Sequence, residues 1–151
     1  MVNFTPAVVG RLNKSEINSK ESIRDHMSKA FITLSKDITI SEASTSLLKM
    51  NLTGAPVVGD KGELIGFLSE KDCLKFSLDS KYYNHTPSSV EHFMSRTVMT
   101  ISPSDTLLHV VELFLKNNFQ IYPVVEEQRV VGVVSRKMIL EAVTKMKQTS
   151  W

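Results

Sequence analysis

A chain of 151 residues with 42% hydrophobic and 23% charged side chains suits one compact domain, or two small halves sharing a core, and excludes a disordered polypeptide. Its formal charge of +2, with Lys and Arg scattered, excludes nucleic acid as a partner class. A phosphate-sized anion, which needs only one or two local donors, stays open. The single Cys73 excludes an internal disulfide and, set among apolar residues, reads as a small buried hydrophobe.

Residues 1–25 are polar and match nothing later, so they read as an N-terminal extension, partly helical. Within it, Lys14 to Met27 carries Ile17, Ile23 and Met27 at the spacing of a modest amphipathic helix. The opening Met-Val-Asn-Phe-Thr-Pro has neither the basic start nor the apolar core of a signal peptide. No run approaches the roughly 18 apolar residues of a membrane span. A soluble cytoplasmic protein is expected, and the sequons at Asn3, Asn13, Asn51 and Asn84 read as chance matches.

From residue 26 the chain repeats itself. Met27-Ser28 answers Met94-Ser95, Thr33 answers Thr100, and Pro56 answers Pro123, each at an offset of 67, while Gly66 answers Gly132 at 66. The first copy, 26–79, has a short opening strand and then a helix with Ala43, Leu47, Leu48 and Met50, capped by Ser41. Ala55-Pro-Val-Val and Glu63-Leu-Ile-Gly-Phe-Leu follow as a hairpin turning at Asp60-Lys-Gly62, with Pro56 starting its first strand. A second helix runs from Glu70 to about Leu78. Ser80 to Ser89 has turn composition, and the linker is placed at 80–91.

The second copy, 92–147, is built alike. Leu107, Val110, Val111, Phe114 and Leu115 form its first helix, capped by Ser104 or Asp105. Val124-Val125 and Val130 to Val134 flank Glu126-Glu-Gln-Arg129 as its hairpin, again begun by its proline, Pro123. Met138 to Met146 is the closing helix, before a tail at 148–151. Each copy alone is small for a stable core, so the two should pack together, with function in the groove between them.

A β-α-β-β-α unit with Pro-Val-Val and then Gly-x-x-Ser closing its third strand resembles the CBS domain, and two in tandem look like a Bateman module. The resemblance spans about residues 26–146. It implies an α+β fold in which two repeats pack as a pseudo-two-fold pair through their small sheets. It also implies an adenine nucleotide (AMP, ADP or ATP) or S-adenosylmethionine bound between them, no required cofactor, a homodimer, and regulation of an unidentified protein.

Gly66-Phe-Leu-Ser69-Glu-Lys-Asp72 matches that family's nucleotide motif. An ionised Asp72 can accept both hydroxyls of a ribose, Ser69 lies where a helix start favours phosphate, and Lys71 adds a mobile charge. The same Ser-x-x-Asp spacing also makes a capping box, and both readings stay open. By the resemblance, the main site joins Ser69, Lys71 and Asp72 to Met99, Thr100, Gln120, Ile121 and Tyr122. A second site joins Ser135 to Ile32, Thr33, Thr53, Gly54 and Ala55, but Met138 stands where its ribose carboxylate belongs, so one full site per chain is expected. Phe119 or Tyr122 either flanks the base or belongs to the core.

The histidines (His26, His85, His92 and His109) show no metal-ligand spacing, and no nucleophile–base pairing is visible, so neither a metal site nor an enzyme is expected. The alternative to a sensor is a structural, dimerising module with degenerate pockets.

Overall fold

The computed structural model of the protein describes residues 21–80 and 88–149. Its elements run β1 (Leu34–Ser35), α1 (Ile40–Lys49), β2 (Gly54–Val58), β3 (Leu64–Ser69), α2 (Glu70–Ser80), α3 (Val90–Phe93), α4 (Leu107–Lys116), β4 (Ile121–Glu126), β5 (Arg129–Ser135) and α5 (Arg136–Thr149). The fold is α+β. In one half β2 pairs parallel to β1 and antiparallel to β3; in the other β4 pairs antiparallel to β5. There the expected opening strand shrinks to one parallel bridge, Ile101 to Val124.

Helix starts fall close to their expected positions, with different caps. Thr39, not Ser41, caps α1, its hydroxyl oxygen accepting the Glu42 N–H at 3.1 Å. Thr106, not Ser104 or Asp105, caps α4 through the His109 N–H at 3.1 Å. Asp105 instead accepts the Ser102 N–H and shapes the preceding turn. Both caps stand in extended backbone immediately before the first buried apolar residue, where an N-cap belongs.

Each proline is the third residue of its strand rather than the first. The Pro123 carbonyl accepts the Ile101 N–H, so its nitrogen faces that same edge, where pairing is limited to a single bridge and no donor is missed. The hairpins turn through positive φ, at Gly62 in one and at Glu127 and Gln128 in the other. They touch where the Leu64 N–H donates to the Gln128 carbonyl at 2.9 Å.

The chain path departs most from expectation at the two segments preceding each repeat. Glu21 to Ser28, its first residues expected to be a helical extension, forms a 3-10 turn at Ile23–Asp25 and packs into the second half. Ile23 N–H donates to the Asp105 carbonyl, Leu107 N–H donates to the Glu21 carbonyl, and Ser28 pairs with Val133. The equivalent segment, Ser88 to Ser95, packs into the first half: Val90 N–H donates to the Ile38 carbonyl, and Ser95 pairs with Phe67. Val90, expected in a linker, is therefore core. Residues 1–20, 81–87 and 150–151, including the rest of that extension and linker, lie outside the described residues.

Two apolar cores result, and they correspond residue by residue. Leu34, Ile40, Ala43, Leu47, Ala55, Val57, Leu68 and Val90 build one. Ile101, Leu107, Val110, Phe114, Tyr122, Val124, Val134 and Ile23 occupy the matching places in the other. Phe114 and Tyr122, at 4.6 Å, take the volume that Leu47 and Ala55 leave in the first half. There the aromatic contact is between Phe76 and Phe93, at 5.2 Å.

The repeated Met-Ser and Gly motifs have one joint cause. Met94-Ser95 crosses directly over Gly66, and Met27-Ser28 over Gly132. A Cβ on Gly66 would stand 2.5 Å from Met94 Sδ and 2.9 Å from the Ser95 carbonyl oxygen, a backbone atom that cannot rotate away. Gly66→Ala is expected to lower stability by about 1–3 kcal/mol through this overpacking, read as a fall in the urea midpoint at unchanged m-value.

Candidate functional site

Strand β3 runs into α2 without a loop, so Ser69 ends the strand and Glu70 begins the helix. Alternation along β3 buries Gly66 and Leu68 and turns Phe67 and Ser69 toward the other face. Asp72 lies within the first turn of α2. Its Oδ2 accepts both the Ser69 N–H at 2.8 Å and the Ser69 hydroxyl at 2.9 Å, while the Asp72 N–H lies 3.3 Å from Ser69 Oγ. This is a reciprocal capping box, and it holds the carboxylate in one orientation. Among the described residues, Asp72 Oδ1 accepts no hydrogen bond.

Ser69 and Asp72 face a cavity of about 400 Å³ whose walls come from both halves. Thr53, Phe67, Ser69, Glu70, Lys71 and Asp72 supply one side; Ser95, Thr97, Val98, Met99 and the stretch Asn118 to Ile121 supply the other, with Pro123. Of the residues expected in the main site, Ser69, Lys71, Asp72, Met99, Gln120 and Ile121 are brought together here. Thr100 is exposed and lines none of it.

Tyr122 does not line it either. Its side chain is fully buried in the second core, and its hydroxyl donates to the Leu113 carbonyl at 3.0 Å. Of the two aromatics, Phe119 is the one at the cavity: half exposed, with its ring edge-on to Tyr122 at 5.9 Å.

The cavity-lining residues that sequence reasoning missed are Phe67, Glu70, Ser95, Thr97, Val98, Asn118 and Pro123. Strand alternation places Phe67 on the Ser69 face, so a signal for it existed. Ser95 and Thr97 arrive only because their segment crosses onto β3, which no local pattern reveals.

The second site takes a different form. Ser135 Oγ accepts the Met138 N–H at 3.1 Å, and Met138 brings a thioether in place of a carboxylate. Met138 instead lines another cavity of about 400 Å³ with Glu21, Asp25, His26, Glu141, Ala142, Lys145 and Met146. None of Ser135, Ile32, Thr33, Gly54 and Ala55 lines either cavity, and Thr53 lines the first. Ala55 is buried in the core, Gly54 is closed in by the Phe67 ring, and Ile32 packs against the first core. Among the described residues, no group of three or more His, Cys, Asp or Glu is placed to hold a metal ion, and no helix is long and apolar enough to cross a membrane.

The duplicated unit, its two small sheets and the cavity between its halves meet a matching family profile: that of the CBS domain covers residues 23–79 and 90–145. The chain belongs to the CBS domain family. This CBS pair is similar to the A-adding tRNA nucleotidyltransferase of Aquifex aeolicus, at 35% identity over 124 residues, 82% of this chain and 14% of that protein. It is also similar to the uncharacterized protein MJ1225 of Methanocaldococcus jannaschii, at 32% identity over 115 residues, 76% of this chain and 40% of that one. The chain thus spans less than half the length of these relatives.

Among solved structures, the CBS domain pair of protein MJ0100, in complex with 5′-methylthioadenosine and S-adenosyl-L-methionine, superposes with a TM-score of 0.72 at 30% identity, covering 82% of this chain and 96% of that one. CBSX2 from Arabidopsis thaliana gives 0.75 at 23% identity over 85% and 97%, a likeness of fold. CBS pairs are regulatory modules in general, and the first half's CBS repeat here carries the serine and the carboxylate.

Proposed function

We propose that this CBS pair is a non-catalytic regulatory module that binds an adenosine-containing small molecule between its repeats and transmits a conformational change to a partner protein. The observation that carries this reading is the Asp72 carboxylate, fixed by Ser69 at a cavity whose walls come from both halves. Oδ2 is held by the Ser69 N–H and hydroxyl, and the unused Oδ1 keeps two lone pairs for the two hydroxyls of a ribose. Phe119 offers an open ring for a base. A ligand contacting both halves favours the arrangement that brings those contacts together, which is the differential affinity that regulation requires. The MJ0100 pair, 30% identical, holds adenosine compounds, and this supports the ligand class.

Calorimetric titration with AMP, ATP, 5′-methylthioadenosine and S-adenosylmethionine tests the reading. One site per chain is expected, because the Met138 thioether cannot accept two strong hydrogen bonds from sugar hydroxyls. No heat with any of the four would sink it and leave the structural alternative, for which the closed Ser69–Asp72 capping box speaks.

A homodimer belongs to the same proposal. Four of the five large apolar side chains left exposed on the described helices form pseudo-two-fold pairs: Leu48 of α1 with Leu115 of α4, at 79% and 83% exposure, and Leu74 of α2 with Leu140 of α5; Leu78 of α2 has no apolar counterpart. A surface that repeats the internal symmetry suits a second copy of the same chain. The double variant Leu48→Glu, Leu115→Glu is expected to be monomeric by light scattering at micromolar concentration where the wild type is dimeric. A monomeric wild type would remove the dimer from the proposal.

A further inference from the structure

The charges around the main cavity bear on which adenosine compound it takes, given the ligand reading above. Its charged lining residues are Glu70, Lys71 and Asp72, a formal charge of −1, with neither Arg nor His among the rest. Phosphate recognition ordinarily draws on Arg or Lys clusters, or on the free N–H groups at a helix start. Here two of the N–H groups at the start of α2 are already engaged. Glu70 N–H donates to the Thr53 carbonyl at 3.0 Å, and Asp72 N–H is directed at Ser69 Oγ at 3.3 Å. Glu70 and Asp72 also place two acids in the first turn, opposing the positive end of the helix dipole.

The second half shows the opposite choice. Helix α5 begins Arg136-Lys137 and has no acid in its first turn, yet it carries Met138 in place of the ribose acceptor. The carboxylate suited to a sugar and the cations suited to a phosphate thus stand at different helix starts. The remaining wall of the main cavity is apolar or neutral, including Val98, the part-exposed Met99, Phe119 and Ile121.

We infer that the Asp72 cavity selects an adenosine whose 5′ substituent is uncharged or cationic, a thioether or sulfonium nucleoside, and discriminates against nucleoside polyphosphates. Each added phosphate brings negative charge into a site that already holds an excess of it. An apolar or positive 5′ group meets no such repulsion and finds Met99, Val98 and Ile121 to pack on.

The test is competitive calorimetry of the full chain with 5′-methylthioadenosine and ATP at moderate salt, in the wild type and in Glu70→Lys. Expected is at least tenfold tighter binding of 5′-methylthioadenosine by the wild type. Glu70→Lys moves the lining charge from −1 to +1 and should shift the ratio of the two affinities at least tenfold toward ATP. Equal or tighter binding of ATP by the wild type overturns the inference while leaving the adenosine reading intact. A ratio that does not move in Glu70→Lys overturns the electrostatic cause. Silence with both compounds defeats the parent reading instead.

Discussion

Asp72→Ala is expected to weaken adenosine binding at least 100-fold while costing the fold only about 0.5–2 kcal/mol. The two effects have separate origins. A carboxylate accepting two sugar hydroxyls makes hydrogen bonds worth roughly 1.5–3 kcal/mol each, and each 1.4 kcal/mol is tenfold in affinity. The stability loss is that of a helix cap: Asp72 accepts the Ser69 N–H and hydroxyl at 2.8 and 2.9 Å, and the residue is only half-buried. Calorimetry reads the first effect and urea unfolding the second. Asp72→Asn sharpens the distinction, since the amide still offers one oxygen to the Ser69 N–H but donates where a ribose hydroxyl must also donate. It should recover much of the stability and little of the affinity. A variant that loses stability yet binds as the wild type does would identify Asp72 as a cap and nothing more.

Ile23→Ala carries the largest expected cost to the fold, about 2–4 kcal/mol by urea unfolding. Ile23 is completely buried among Leu107, Val110, Tyr122 and Val134, although its segment precedes the repeat it would be assigned to by sequence order. If Glu21 to Ser28 were a surface extension, the change would fall within about 0.5 kcal/mol, as surface substitutions do. A large loss also has a consequence for function. The segment crosses from one half to the other, as Ser88 to Ser95 crosses back, so each half is completed by residues from the other's side of the sequence. Such exchange ties the halves mechanically. A ligand that shifts one against the other then moves both crossings, which gives a regulatory signal a physical route through packed backbone.

Much of this was legible in the residues. Helical spacing located α1 and α4 to within a few residues, because Ala43 and Leu47, or Val110 and Phe114, must share one buried face. The caps were misplaced by one or two positions, since Thr39, Ser41, Thr106, Ser104 and Asp105 are all plausible cap residues and only backbone conformation chooses among them. The family resemblance places Tyr122 among the ligand contacts. Strand alternation puts it on the same face as Val124, in the core, where the Leu113 carbonyl accepts its hydroxyl.

What the sequence by itself determined is the duplicated β-α-β-β-α unit, the family, and the asymmetry between Asp72 and Met138, because these rest on residue type and on spacings along one local stretch of chain. Only the tertiary structure decided that Ile23 and Val90 are core, that Met94-Ser95 requires Gly66, and that Thr53 and Ser95 share a cavity with Asp72. The physical reason is that these contacts join residues far apart in the chain. Which distant segment covers a given strand is set by the path the backbone takes between the halves, and that path leaves no periodicity to read.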